Sequence, residues 1–415
     1  MTIQENYNQH KTSFLFNDSK KFLNLRGKLL ADFEIPINAK KNNESLKHLD
    51  PNALELSYKY ESLNHKILHS SHNEKKINID VINGRIFNIK RKIEDTDLKF
   101  NNIDSSNKYA EDVFLDSQKI FDNDYVLNLN SLMLNSGYEI NIGENQKLDI
   151  FISNSVNDED LTIFQKNIIN CAKNSHINLV EEFSFDNKSN SNIVNFLNLE
   201  SGANLNHIIF QKNDHKANLQ FTSYANCKKN SKYKQLILNI SKSSVRNHHY
   251  VNLNGENSSA YLDGIFFGSG NQIIDNKTQI NHNFPDCISS QRYKGILTDK
   301  AKASYLSKTY VDRIAQKTEA YQLSKGILLS DQSYFHSKPE LKIFADDVKC
   351  SHGSTIGPID GDLLFYLRSR GLSKKISTSL LIKSFFHDII SESNDKSFIE
   401  KFNYHSSKWL NINNL

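Results

Sequence analysis

Proline and glycine are scarce, 5 and 15 among 415 residues, which excludes collagen-like repeats and proline-rich linkers. Cysteine is equally sparse. Its four copies, Cys171, Cys227, Cys287 and Cys350, stand far apart with no C-x-x-C pair, so neither a disulfide framework nor a four-thiolate zinc site is encoded locally. A reducing cytoplasmic compartment is the expected setting. No stretch reaches the ~20 apolar residues that span a bilayer. Met1 to Lys20, with Glu5 and Asp18, lacks the basic start, apolar run and cleavage site of a secretory signal. Neither sign of charge dominates: 51 Lys and Arg oppose 47 Asp and Glu, and the net +4 is spread along the chain. Without a basic block to track a phosphate backbone, neither nucleic acid nor membrane is an expected partner.

What is present is a 38% hydrophobic chain, enough for a substantial folded core. Asn, Ser and Lys fill most polar positions, a bias that reads as compositional. Residues 1–120 are expected to form a mostly helical N-terminal region, with Leu46, Leu49 and Leu54 near helical spacing and Asp50-Pro51 as a start signal. From Phe121 the texture changes to short alternating runs such as Leu205-Asn-His-Ile-Ile-Phe, Leu236-Ile-Leu-Asn-Ile and Tyr305-Leu-Ser-Lys-Thr-Tyr-Val. Period two over four to eight residues predicts strands. They recur as far as Ser354, and one helical interruption is expected, Asp160 to Ala172. Residues 121–357 are thus a mainly β core, either a sandwich or a solenoid of stacked coils, with the length favouring the β-helix. In the remainder, 358–415, Leu363, Phe365, Tyr366 and Leu367 form one apolar stripe that Gly371 should stop. Ser373 should cap a second helix carrying Ile376, Leu380, Leu381, Phe385 and Ile389. Together they make a helical hairpin.

No G-x-S-x-G, H-E-x-x-H or Walker motif occurs. Gly268-Ser-Gly270 lacks the later glycine of a dinucleotide loop. The densest chemical run is Ala345-Asp-Asp-Val-Lys-Cys350-Ser-His352-Gly-Ser. On a strand Cys350 and His352 project to one face ~6.6 Å apart, able to reach a common partner. Thiolate and imidazole suit iron, zinc or copper, but two ligands cannot complete a tetrahedral site. The competing reading is a buried cysteine beside a hydrogen-bonded histidine. Asp346 and Asp347 are expected to be solvated, and His248 and His249 to point to opposite faces in structural roles.

The run Lys338-Pro-Glu-Leu-Lys-Ile-Phe-Ala-Asp-Asp-Val-Lys-Cys-Ser-His-Gly-Ser-Thr-Ile-Gly357, followed by Leu364-Phe-Tyr-Leu-Arg-Ser-Arg-Gly371, resembles the signature of the SufB/SufD family, and its SufD branch in particular. Asp275-Asn-Lys-Thr, Ser290-Gln-Arg-Tyr-Lys-Gly-Ile-Leu, Ala315-Gln-Lys-Thr-Glu-Ala-Tyr-Gln and Leu328-Leu-Ser-Asp331 match the same family in the same order. Pro36 to Leu49 loosely resembles its N-terminal segment, with Leu46 where tryptophan is usual. The resemblance implies a right-handed parallel β-helix between helical ends. It implies a scaffold subunit, not an enzyme, that pairs with the paralogue SufB, each binding the ABC-type ATPase SufC, in a complex that assembles iron–sulfur clusters. Whether the chain forms a homodimer when SufB is missing is left open by the sequence. His352, and less directly Cys350, would contact a transient cluster at the SufB interface. Leu363, Phe365, Tyr366, Arg370, Leu381 and Phe385 would grip SufC. The alternatives are a SufB-type paralogue, a β-helix polysaccharide-acting enzyme and a structural solenoid without metal chemistry.

Overall fold

Alternating runs of β-branched, aromatic and polar residues satisfy their backbone hydrogen bonds by pairing each run with the one two strands later. A computed structural model describes residues 3–33, 77–90, 97–121, 124–158, 160–185, 188–213, 217–393 and 395–413. Helices α1 (Ile3–His10) and α2 (Lys20–Phe33) precede strands β1 (Ile77–Ile82), β2 (Arg85–Lys90) and β3 (Leu98–Asn102), then α3 (Lys108–Phe121) and α4 (Tyr125–Met133). The coils follow as β4 (Tyr138–Ile142), β5 (Lys147–Ser155), β6 (Leu161–Cys171), β7 (His176–Ser184), β8 (Ser189–Leu199), β9 (Asn204–Gln211), β10 (Ala217–Cys227) and β11 (Lys232–Asn239). They continue as β12 (Val245–Leu253), β13 (Ser259–Gly268), β14 (Ile273–His282), β15 (Ile288–Leu297), β16 (Lys302–Val311), β17 (Thr318–Leu328), β18 (Tyr334–Ile343) and β19 (Val348–Pro358). Four helices close the chain: α5 (Gly361–Ser369), α6 (Lys374–Phe385), α7 (His387–Ser393) and α8 (Lys396–Ile412).

The odd-numbered strands from β5 to β19 pair in parallel in sheet 1, which β1 and the antiparallel β2 extend. The even strands from β4 to β18 form sheet 2, ended by the antiparallel β3. Each coil contributes one strand to each sheet, and coil length sets the register: Leu219 pairs with Val245, 26 residues on, and Lys302 with Tyr334, 32 on. The choice between sandwich and solenoid therefore falls to a parallel β-solenoid. Its interior is filled by inward side chains such as Ile150, Leu179, Leu205, Phe221, Leu262 and Phe266, all buried.

Asparagine is more than compositional here. Asn145, Asn174, Asn230 and Asn257 turn the chain between coils with φ of 56–58°. Asparagine tolerates that left-handed conformation better than other non-glycine residues. In three of these turns the backbone N–H also donates to the next coil, Asn145 to Lys173, Asn174 to Ser201 and Asn230 to Glu256, at 2.9–3.1 Å.

Residues 160–172 are not helical, correcting the expected interruption: Leu161–Cys171 is strand β6. Its run is buried on both faces because α4 lies over its outer side, so the strand alternation is erased from the sequence. The first 120 residues contain β1–β3 as well as helices, and β1 already belongs to sheet 1. The expected helix around Leu46 to Leu54 and the Pro36–Leu49 resemblance lie outside the described residues. No described helix is long and apolar enough to cross a membrane.

Both outer faces carry helices. Phe114 of α3 and Leu127 of α4 pack on Val194 and Phe196 of sheet 2. On sheet 1, Phe267 meets Phe386, Trp409 and Phe402 at ring-centroid distances of 5.2, 5.2 and 6.3 Å. Ion pairs rim that contact: Arg292 bridges Asp263 and Glu392, and Lys294 reaches Asp388 at 2.6 Å.

Candidate functional site

Strand β19 is the last of sheet 1 and, among the described residues, pairs only with β17, placing Ala320 beside Cys350 and Gln322 beside His352. Thr318, Ala320, Gln322 and Ser324 of β17 face the solenoid interior and are buried. By the same parity Val348, Cys350, His352 and Ser354 face inward on β19. No further coil stacks on them among the described residues. Cys350 is accordingly only half-buried, packed beside Val311, Ala315 and Ala345, and His352 is exposed. The expectation that both side chains share one face holds on this register.

Partial burial pushes the Cys350 thiol up, partly offset by a backbone hydrogen bond at Ala320. The thiol is therefore protonated at neutral pH and would lose its proton on binding a metal. Among the described residues no group of three or more His, Cys, Asp or Glu side chains is arranged to hold a metal ion. Cys350 and His352 are by themselves at most part of a ligand set.

The other thiols are sequestered. Cys171, Cys227 and Cys287 are buried, and burial pushes Cys171 and Cys227 up to about 12. Asp346 and Asp347 are exposed. His248 and His249 point oppositely: His248 Nε2 lies 3.0 Å from Asp275, whereas His249 Nδ1 lies 2.8 Å from Ser223 Oγ inside the solenoid. Burial and Arg246 pull His248 down to about 4. At Gly268–Gly270, the Gly270 N–H donates to the Asp299 carboxylate, which occupies the donor an anion would need.

The C-terminal hairpin divides in two. Gly371, at φ 90°, ends α5, and Ser373 Oγ accepts from the Ile376 N–H to start α6. Leu363, Phe365 and Tyr366 are 51, 74 and 54% exposed, with the Arg370 guanidinium 5.3 Å above the Tyr366 ring. Leu381 is half-buried. Phe385, also half-buried, lies against Phe386 and under Lys294 Nζ, on the side facing sheet 1. Ile376 and Leu380, absent from the expected contact set, are exposed beside the α5 patch. So is a second apolar group at the solenoid end: Ile314, Tyr321, Tyr334, Ile343 and Phe344. Outward aromatics on the last two coils were the available signal for it. The expected second helix breaks into α6 and α7, with Ile389 on α7, and α8 was not singled out, although Asp395 caps it and Phe398, Phe402 and Leu410 keep helical spacing.

Comparison with known proteins fits this geometry. Residues 151–385 match the SufBD core domain of the SUF system for FeS cluster assembly. The chain is 36% identical over 141 residues to the iron–sulfur cluster assembly protein SufD of Escherichia coli K12, covering 34% of this chain and 33% of that protein. It is 32% identical over 202 residues to the SufBD family protein slr0076 of Synechocystis, 49% of this chain and 45% of the relative. It is 29% identical over 219 residues to the chloroplastic protein ABCI7 of Arabidopsis thaliana, 52 and 46%. The matches thus span a third to a half of these relatives. With more than half of its length in the core-domain match, the chain belongs to the SufBD family of iron–sulfur cluster assembly proteins.

Proposed function

We propose that this chain is a SufD-type scaffold subunit acting in the cytoplasm, pairing with a SufB-type paralogue through the open end of its solenoid and docking a SufC-type ATPase on α5 and α6. In this reading the nascent iron–sulfur cluster is cargo, His352 is a ligand offered to it, Cys350 stands next to it, and the paralogue supplies the remaining ligands. ATP hydrolysis belongs to the ATPase. The subunit positions ligands and passes movement from the docked ATPase into the solenoid.

The observation that carries the reading is the incomplete ligand pair on an uncovered final coil, a coil that also exposes Tyr334, Ile343 and Phe344. Exposed apolar side chains on the coil that carries a half-set of ligands suit a site completed by association. The Phe365–Tyr366 patch, with Arg368, Arg370 and Lys374 around it, suits a partner surface that is apolar at its centre and acidic at its edge.

The test is anaerobic co-purification of the tagged chain with SufB- and SufC-type proteins of the same genome, followed by reconstitution with iron and sulfide. A three-protein complex is expected. Its cluster absorbance should fall in His352→Ala with subunit ratios unchanged, and Phe365→Ser should lose only the ATPase. Unchanged absorbance in His352→Ala would overturn the ligand assignment. Recovery of a lone, colourless chain, as monomer or homodimer, would overturn the scaffold reading.

A further inference from the structure

The middle of the solenoid interior is polar. On sheet 1 the inward file runs His207, Gln235, Leu262, Gln291, Gln322 and His352, each paired in register with the next. Sheet 2 faces it with Asn195, Ser223, His249, Thr278 and Ser307. Burying such groups is costly unless they are hydrogen-bonded, and they bond to one another inside the solenoid, within a sheet and across to the other. His207 meets Glu181 at 2.8 Å, Gln235 reaches His249 at 2.9 Å, and Thr278 donates to Gln291 at 2.5 Å. Thr309 accepts from both Gln291 and Gln322. The file's last member is His352.

Gln322 is held more tightly than a register requirement demands. Its Nε2 donates to Thr309 Oγ1 at 2.8 Å and to the Glu340 carbonyl at 3.3 Å, and its Oε1 accepts from Ser307 Oγ at 3.1 Å. Both N–H groups are used and the oxygen keeps one lone pair, so the carboxamide is fixed in orientation with an acceptor still open. Directly above it in the ladder, about 4.8 Å away, is His352. Elsewhere on this solenoid, in-register polar side chains pass a hydrogen bond from coil to coil. Asn198 donates to Asn170, Asn170 to Asn141, and Asn281 to Asn252, at 2.7–2.8 Å.

We infer that Gln322 is a positioning residue for His352: its pinned carboxamide oxygen receives one ring N–H of the imidazole when the ring turns inward, leaving the other nitrogen pointing out of the solenoid as the ligating atom. The inference rests on the reading of His352 as a cluster ligand. Metal-binding histidines are commonly held in this way, by an acceptor on the ring nitrogen remote from the metal. A glutamine acceptor fixes the tautomer without adding charge.

The test reads the imidazole itself. The pH profile of His352 carbethoxylation by diethylpyrocarbonate, followed by peptide mass spectrometry on the full chain, reports the neutral ring. Gln322→Glu should move the midpoint upward by about one pH unit, because a carboxylate favours the imidazolium. Gln322→Met, an apolar near-isostere, should speed modification at least threefold at constant pH and lower cluster occupancy of the reconstituted complex about tenfold in iron titrations. Profiles and rates that match the parent in both variants, with thermal unfolding unchanged, would overturn the inference. Loss of the ligand reading alone would appear differently: His352→Ala without effect on the cluster while the Gln322→Glu shift persists.

Discussion

Lys166 offers the sharpest physical test of the fold. It projects from β6 beneath the N-terminal helices and is fully buried, with Nζ 2.8 Å from Ser131 Oγ and 5.4 Å from the centre of the Phe114 ring. The charged group acting on it is Arg26, itself buried, and among the described residues no carboxylate compensates. Burial first, and the like charge of Arg26 second, pull the amine down to about 7 from an ordinary 10.5. In the unfolded chain the amine regains its ordinary value, so between pH 7 and 10.5 the unfolded state binds the extra proton. Stability attributable to this group therefore rises with pH across that window, by up to about 1.4 kcal/mol per unit, and is flat below and above it. The accumulated cost at pH 7 is on the order of 4 kcal/mol.

Lys166→Met keeps the volume and removes the titration. Ser131 Oγ still donates to the Leu127 carbonyl, so the substitution forfeits about 1 kcal/mol of hydrogen bonding. A net stabilisation of ~3 kcal/mol is expected at pH 7. Urea unfolding of parent and variant, each at several pH values from 7 to 10, isolates the effect as a difference, since other groups titrate equally in both. The advantage of the variant should shrink by roughly 1.4 kcal/mol per pH unit and vanish near pH 10. A difference that stays constant from pH 7 to 10 would show that the native amine does not titrate in that window and refute the reasoning.

Two further outcomes follow from packing and backbone geometry. Phe402→Ala should lower stability by about 3–5 kcal/mol in urea unfolding, since this buried ring fills the contact between Phe267 and Phe386; a loss under 1 kcal/mol would mean that α8 is not anchored there. At Asn174, φ 56°, substitution by valine should cost about 1–2 kcal/mol while glycine stays within a few tenths, and equal thermal shifts for the two would contradict a left-handed requirement at this turn.

How much could be read beforehand depended on how far each signal was local. Strands such as Leu205-Asn-His-Ile-Ile-Phe were legible because one face meets the interior and the other is partly polar. β6 was not, because cover from α4 buries both of its faces, and a run without alternation cannot be told from a buried helix. The α5 stop at Gly371 and the α6 start at Ser373 were legible since caps are local chemistry. The division of labour along the hairpin was not, because which side of α6 meets Phe267 is decided 110 or more residues away in sequence. At the site, strand parity gave the shared face of Cys350 and His352. Gln322 beneath them depends on a coil length of 30 residues that no local pattern states.

The arrangement of exposed and sealed surfaces bears on how the proposed subunit would work. Helix α6 is exposed at Ile376 and Leu380 near its start and buried at Ile382 near its end, where Phe386 follows. One rigid element therefore joins the proposed ATPase patch to the aromatic seam on sheet 1. The polar anchors of that seam are on β15: Lys294 holds Asp388 and the Phe385 carbonyl, and Arg292 holds Glu392. β15 pairs with β17, and β17 with β19, so two strand pairings separate these anchors from His352. Parallel strands in a filled solenoid cannot slide past one another without breaking every ladder bond and repacking the interior. A push on α5 and α6 is then resisted by the earlier coils, whose inward faces are packed. It finds compliance in the last coil, whose inward face has no further coil stacked on it among the described residues. Under the proposed reading, force from the ATPase would be felt at the coil that carries the cluster ligand.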